Sequence, residues 1–267
     1  MVPLGRWSAQ VAVVAANVLI MAGCAGTPDS GKPSTGSPSV PREPGPTTGT
    51  ATIAIRAEFV GTPPVMPVIR VGGDPVCVSK HTNSPLLREN IVVNPDGTLR
   101  DVVVRIKGGL EAYQWSVEGR DPAVITQDGC RFDPHVSSLM AGQAIEFRND
   151  DATIHNVNGQ PVVNDKFNFS MTSDKVPPRQ VTFAHPEWPP VRIKCDVHPW
   201  MVAYAAVLDH PFHGVTGTSG TAELRRLPAG QFVVEAWHRE LGSFEKKVDL
   251  ADGQTATLDF QFSAKPE

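Results

Sequence analysis

From residue 51 onward the chain is a succession of short apolar–polar alternations. In TIAIRAEF, residues 52–59, the side chains of Ile53, Ile55, Ala57 and Phe59 fall on one face. A period of two predicts a half-buried strand. The same reading predicts strands in DVVVRIK (101–107), QAIEFRN (143–149), VRIKC (191–195), YAAVL (204–208), FVVEAW (232–237) and TLDFQF (257–262). Turn residues separate them: Asn94-Pro95-Asp96-Gly97, Pro228-Ala229-Gly230 and Asp252-Gly253. No long amphipathic helix interrupts the series. Short strands at this spacing predict an all-β chain of the β-sandwich class.

The first 50 residues break the pattern. Arg6 gives a small positive start, and residues 11–21 are apolar apart from Asn17. That is the length of a signal-peptide core and short for a membrane span. The run ends in Met21-Ala22-Gly23-Cys24, small residues before a cysteine, which resembles a bacterial lipobox. Residues 1–23 are then a lipoprotein signal peptide, and Cys24 becomes the lipid-bearing N-terminus. The alternative is an ordinary signal peptide with an incidental cysteine. Residues 24–50 are rich in Pro, Gly, Ser and Thr and hold almost no large apolar side chains. Such a segment cannot bury a core and is expected to be an extended spacer. The expectation is a domain tethered to a bacterial membrane by its N-terminal lipid, periplasmic or at the cell surface.

Charge and cysteines narrow the picture. A net charge of −4 over 267 residues gives no basis for binding nucleic acid or anionic membranes. With Cys24 lipidated, Cys77, Cys130 and Cys195 remain. An exported chain lives where disulfides form. The economical assignment pairs Cys77 with Cys130, closing a loop worth about 4 kcal/mol on the chain-entropy model, and leaves Cys195 alone. A rival is a Cys2His2 metal site from Cys77, His81, Cys130 and His135. An unpaired thiol in an oxidising compartment needs protection, which a metal would provide.

Cys195 opens the stretch CDVHPWM, which also supplies His198 and Met201. A copper electron-transfer site takes two imidazoles, one thiolate and often a weak thioether. A second imidazole is available upstream, where GQAIEFRNDDATIHNV (142–157) delivers His155 past the end of a predicted strand. Together the two pieces resemble the cupredoxin family of plastocyanin, azurin and amicyanin. The Cys-x-x-His-x-x-Met loop is of the short amicyanin type, including Pro199 after the histidine. The resemblance covers about residues 124–208 and implies one type 1 copper. In it His155, Cys195 and His198 are ligands, Met201 is axial, and Asn156 ties the ligand loops by hydrogen bonds. Pro199 offers no N–H to the Cys195 sulfur. Pro199 and Trp200 are expected in an apolar docking patch over the ring edge of His198. One departure is a segment between His155 and Cys195, rich in Asn, Pro and Lys, longer than a minimal amicyanin-like domain has.

Other copper chemistries lack their residues. There is no second cysteine in residues 196–201 for a binuclear centre, no His-x-His pair for a trinuclear cluster, and Lys194 rather than histidine precedes the thiolate. The expectation is therefore an electron carrier between redox proteins, not an enzyme. The alternatives are a copper chaperone or sensor, and an adhesive or carbohydrate-binding lipoprotein with an incidental copper site. A chaperone would be richer in methionine than the six present. His185, His210 and His238 are expected to be structural, and His210-Pro-Phe-His213 is only a weak metal pattern.

Residues 214–262 contain Leu227-Pro228-Ala229-Gly230 between predicted strands. They resemble carboxypeptidase regulatory-like domains, small transthyretin-like sandwiches. The expected fold is all-β: a cupredoxin Greek-key β-sandwich (110–208) plus a small Ig- or transthyretin-like β-sandwich. Residues 209–267 hold too few strands for a sandwich alone. The N-terminal β-segment, 51–109, is a candidate to complete it, with the cupredoxin inserted between. Three consecutive β-units are the alternative.

Overall fold

In the central strand Ala51–Phe59, alternate residues are fully buried, with Ile53, Ile55 and Ala57 at most 1% exposed. The structure is a computed structural model that describes residues 42–46 and 49–264. Residues 1–23, Cys24 and most of the spacer lie outside the described residues. Among the described residues the only helix is Pro75–Lys80, and no helix is long and apolar enough to cross a membrane.

Ala51–Phe59 pairs antiparallel with Thr221–Leu227 and parallel with Thr255–Phe262. Facing this three-stranded sheet is a four-stranded one, in the order His213–Val215, Val103–Gly108, Gly230–His238, Gly242–Leu250. Strands from both ends of the chain thus share sheets, and residues between them form a second sandwich. Ile53, Val104, Leu224, Val234 and Phe260 belong to one buried cluster between the two sheets. At about 25 cal/mol per Å² of apolar surface removed from water, burial is the main force holding such layers together.

The second sandwich has a five-stranded sheet, ordered Phe167–Met171, His155–Gln160, Glu187–Lys194, Val202–Leu208, Val136–Met140. Its four-stranded partner is ordered Arg179–Thr182, Ala144–Asn149, Ala123–Gln127, Phe132–Asp133. The long segment after His155 supplies an edge strand to each sheet. Its Phe167 and Phe169 rings pack at 6.1 and 5.9 Å from Phe147. The chain crosses beneath Phe167 at Gly159, where any Cβ would strike the ring. Glu187–Lys194 contains Pro189 and Pro190, which cannot donate to a ladder, and its register slips between Glu187 and Val191.

A third, smaller cluster joins the sandwiches: Val103, Val136, Tyr204 and Ala206, with Trp188 and Trp237 packed against it. The two indoles lie 5.7 Å apart, and the Arg105 guanidinium sits 3.9 Å over Trp188.

Two expectations are corrected. The end of the 24–50 spacer is docked: Glu43–Pro44 pairs in parallel with Tyr113–Gln114, and Arg42 meets Asp209 at 3.2 Å. An extended, proline-bearing segment needs no regular periodicity to form such a two-residue pairing. Nor is 51–109 strand throughout. Between Phe59 and Val103 the chain runs as loops, isolated bridges and the helix, and it packs Cys77 into the core of the second sandwich.

Candidate metal centre

His155 begins a strand, and Cys195 follows the end of the adjacent one. Antiparallel pairing of Lys194 with Asn158 therefore brings the two segments to the same end of the sheet. From Cys195 the chain must return to Val202, which pairs with Lys194. The intervening loop is closed by its own backbone: Cys195 N donates to Met201 O at 3.1 Å, and Met201 N to His198 O at 2.9 Å. Closure turns His198 inward.

The three side chains converge. His155 Nδ1 and His198 Nδ1 are 2.9 Å apart, and Cys195 Sγ is 4.0 Å from His198 Nδ1. All three residues are buried, at 0, 3 and 1% exposure. Met201 is buried beside them, 1% exposed and in the same core cluster as Cys195.

Behind each imidazole stands a carboxylate. His155 Nε2 lies 2.9 Å from Asp151 Oδ2, and His198 Nε2 lies 3.2 Å from Asp74 Oδ2. Asp151 is fully buried. It also accepts from Gly129 N (3.0 Å) and Cys130 N (2.8 Å) and pairs with Lys80 at 2.5 Å. These contacts outweigh burial and hold its carboxyl far below the usual range. Asp74 is the N-cap of Pro75–Lys80, accepting from Val76 N and Cys77 N, with Pro75 in the first turn. Thr153 Oγ1 donates to its other oxygen at 2.5 Å.

The thiol is prepared to be a thiolate. Burial raises its pKa, but the neighbouring His155 ring and the N–H groups of Asn156 and His198, both 3.4 Å from the sulfur, pull it below the ordinary value. Burial lowers the His155 pKa, and its partners Asp151 and Cys195 more than reverse this. His198 moves the other way, through burial first and the neighbouring His155 charge second.

A metal cation fits this donor set. A neutral imidazole whose Nε2–H donates to a carboxylate presents a lone pair at Nδ1. Here two such lone pairs face one another at 2.9 Å beside a sulfur favoured as thiolate. That arrangement is repulsive unless a proton or a cation lies between them. Each carboxylate–histidine pair is of the kind that orients a metal-ligating ring.

Asn156 bridges the two ligand segments. Its Oδ1 accepts from Asp196 N at 2.5 Å, and its Nδ2 donates to Asp196 Oδ2 (3.0 Å) and Asn168 Oδ1 (2.8 Å). Asn158 Nδ2 donates to the same Asp196 oxygen at 2.7 Å.

The rim differs from the expected open patch. The His198 ring edge does not reach solvent; Asp74 covers it, and Cys77 Sγ lies 3.7 Å from Nε2. Cys77 is bonded to Cys130, so the cover is tied covalently to the second sandwich. His81 and His135 lie apart from that disulfide chemistry, bonded to the carbonyls of Gly129 and Val202. Cys195 is the free cysteine among the described residues. Pro199 is exposed, whereas Trp200 is half-buried, its indole N–H donating to Cys130 O at 3.0 Å and its ring 5.1 Å from that of His198. Sequence reasoning missed Asp74, Asp151 and Asp196. Asp151, four residues before His155, and Asp196, next to Cys195 in the quoted motif, lie close enough in sequence to have been noticed; Asp74 does not.

No protein-family model matches the chain, and neither does any curated protein. Among solved structures, a copper-containing nitrite reductase from Thermus scotoductus is 20% identical over 38% of this chain and 26% of its own, with a TM-score of 0.30. The chain thus spans about a quarter of that enzyme's length. A purple cupredoxin from Nitrosopumilus maritimus is 20% identical over 32% of this chain and 98% of its own (TM-score 0.27). Amicyanin from Paracoccus versutus is 18% identical over 39% and 96% (TM-score 0.29).

Proposed function

We propose that this protein is a type 1 copper electron carrier, lipid-anchored at Cys24 to a bacterial membrane and exchanging single electrons between redox proteins outside the cytoplasm. One observation carries the reading. Two carboxylate-backed imidazoles turn their Nδ1 atoms toward each other 2.9 Å apart, next to a buried cysteine with a lowered pKa. A His2Cys set with a nearby methionine is the donor combination of blue-copper electron-transfer sites. Copper held there would supply a one-electron couple and an intense thiolate absorption.

The chain's own residues do the rest. Asp151 and Asp74 hold the rings; Asn156 and Asp196 lock the two ligand segments together; the N–H groups of Asn156 and His198 hold the sulfur. With water excluded by burial and both imidazoles and the sulfur held by hydrogen bonds, these side chains would have little need to move when the charge at the site changes. Met201, buried in the same cluster as Cys195, would be the fourth residue to hold the metal. Because Asp74 and Cys77 cover the His198 edge, Pro199 and Trp200 are the exit toward a partner.

The test is a copper titration of the reduced-thiol protein. One equivalent should give a strong visible band, bleached by ascorbate and absent in Cys195→Ser, whose far-UV spectrum stays that of a β-protein. A colourless copper-loaded wild type would reject the type 1 reading. Trp200→Asp should leave the band in place while slowing electron exchange with a partner protein. An unchanged exchange rate would move the exit elsewhere.

A further inference from the structure

A cavity of about 190 Å³, whose lining does not include Asp74, opens against Pro199, Trp200 and Met201. A water occupies about 30 Å³ in the liquid, so the space suits several waters or one small solute. It lies where three parts of the chain meet: the loop around Arg88, the second sandwich at Arg192 and Tyr204, and Arg239, which follows strand Gly230–His238.

Cationic donors dominate its charged lining. Arg88, Arg131, Arg192 and Arg239 all line it. Two carboxylates offset them: Glu89 lies 3.6 Å from Arg131, and Glu240 lies 3.2 Å from Arg239. His135 also lines the cavity; its pKa is pushed down to about 4 by burial, so it adds no positive charge near neutrality. Arg88 and Arg192 form no ion pair among the described residues.

Tyr204 points to what the space is for. It is 4% exposed, and its hydroxyl is buried with no hydrogen-bond partner. Register places it directly across from Arg192 on the neighbouring strand, and the Arg239 guanidinium stands 4.7 Å over its ring. Buried hydroxyls are almost always paired, because leaving one unpaired is costly. The guanidiniums set against it, Arg192 and Arg239, donate and cannot accept, so neither can take the hydroxyl proton. The missing complement is an acceptor carrying negative charge, with several oxygens to serve several donors at once.

We propose that this cavity is a binding site for a small free oxyanion of the phosphate or carboxylate kind, held by Arg192, Arg239 and the Tyr204 hydroxyl. The site stands independently of copper. It would set a negative charge against the Pro199–Trp200–Met201 turn.

Calorimetric titration of the full chain with inorganic phosphate at low ionic strength tests it. Saturable binding of one phosphate is expected, surviving replacement of part of the buffer salt by sodium chloride. Arg192→Gln should weaken it by about tenfold, equivalent to about 1.4 kcal/mol, and the near-isosteric Tyr204→Phe by about threefold. Arg225→Gln, at an exposed arginine paired with Glu223 elsewhere on the surface, should bind as wild type does. Absence of saturation would overturn the proposal, as would equal weakening by Arg225→Gln or full affinity in Tyr204→Phe. Binding of an acidic peptide but not of phosphate would also overturn it, in favour of a protein-docking surface.

Discussion

The two sandwiches each bury a pair of histidines, and the pairs are wired in opposite ways. In the flanking sandwich, His210 Nδ1 accepts from Phe212 N at 3.2 Å while Nε2 donates to Ile106 O at 2.7 Å. His238 Nδ1 likewise accepts from Glu240 N at 3.2 Å. Both lone pairs are consumed by the backbone two residues on. In the second sandwich, His155 and His198 meet carboxylates at Nε2 and leave Nδ1 aimed at a shared point beside a sulfur. All four rings are at most 5% exposed, so burial does not distinguish a ligand from a structural histidine. What distinguishes them is which nitrogen has been spent, and on what.

The largest expected difference concerns what ties the cover over His198. The disulfide Cys77–Cys130 spans a sequence separation of 53 residues. Its removal in a Cys77→Ala/Cys130→Ala variant should cost about 4 kcal/mol on the chain-entropy model. The loss should fall on the second sandwich, because both cysteines belong to its core cluster and neither to that of the flanking one. Hydrogen exchange resolved by segment would check this. A loss spread evenly over Gly230–His238 and His155–Gln160 would show that the two sandwiches unfold as one.

A smaller effect should appear in acid. Burial pushes the His238 pKa down from its ordinary value to about 4. The unfolded chain therefore binds a proton that the folded chain refuses. The stability this histidine contributes is complete above about pH 6.5 and is lost as pH falls toward 4, on the order of 3 kcal/mol in all. Asp101 acts with the opposite sign: burial raises it to about 6, so the folded chain takes up its proton first and gains stability as pH falls from about 6 toward 4. Comparing wild type with His238→Gln cancels the Asp101 contribution. Melting curves at pH 7 and 4.5 should show the variant losing less stability than wild type on acidification. Equal losses would mean that the ring takes up its proton in the fold as readily as in the unfolded chain.

The ligand set was legible because a single loop carries most of it. Cys195, His198 and Met201 lie within seven residues, and His155 follows a clearly alternating strand. The strands at 52–59, 143–149 and 257–262 were legible from an inward–outward period, and 232–237 from its run of apolar residues, though Val234, Glu235 and Ala236 are all buried. What escaped lacks that period or depends on distant contacts. Gly242–Leu250, read GSFEKKVDL, is a charged edge strand whose exposed lysines keep other chains from pairing with it. Thr221–Leu227 holds Glu223, Arg225 and Arg226, and its apolar positions are too few to mark a strand. Asp74 reaches His198 across 124 residues of sequence, so no local pattern announces it.

That long reach makes Asp74 the finest test of the contrast between the two histidine pairs. The flanking rings are held by backbone groups, which no substitution removes; the site rings are held by side chains. Asp74 does two separable things: it caps the helix Pro75–Lys80, and it accepts from His198. Asparagine caps a helix about as well as aspartate does, whereas alanine costs about 1 kcal/mol. Asp74→Asn should therefore melt within a few tenths of a kcal/mol of wild type, and Asp74→Ala about 1 kcal/mol below it. Yet both remove the charge behind the ring. Loss of such a partner typically weakens metal binding by about 10- to 100-fold, so the two variants should weaken copper alike while differing in stability. Copper affinity that tracked stability instead would reduce Asp74 to a helix cap and leave His198 oriented by its own loop alone.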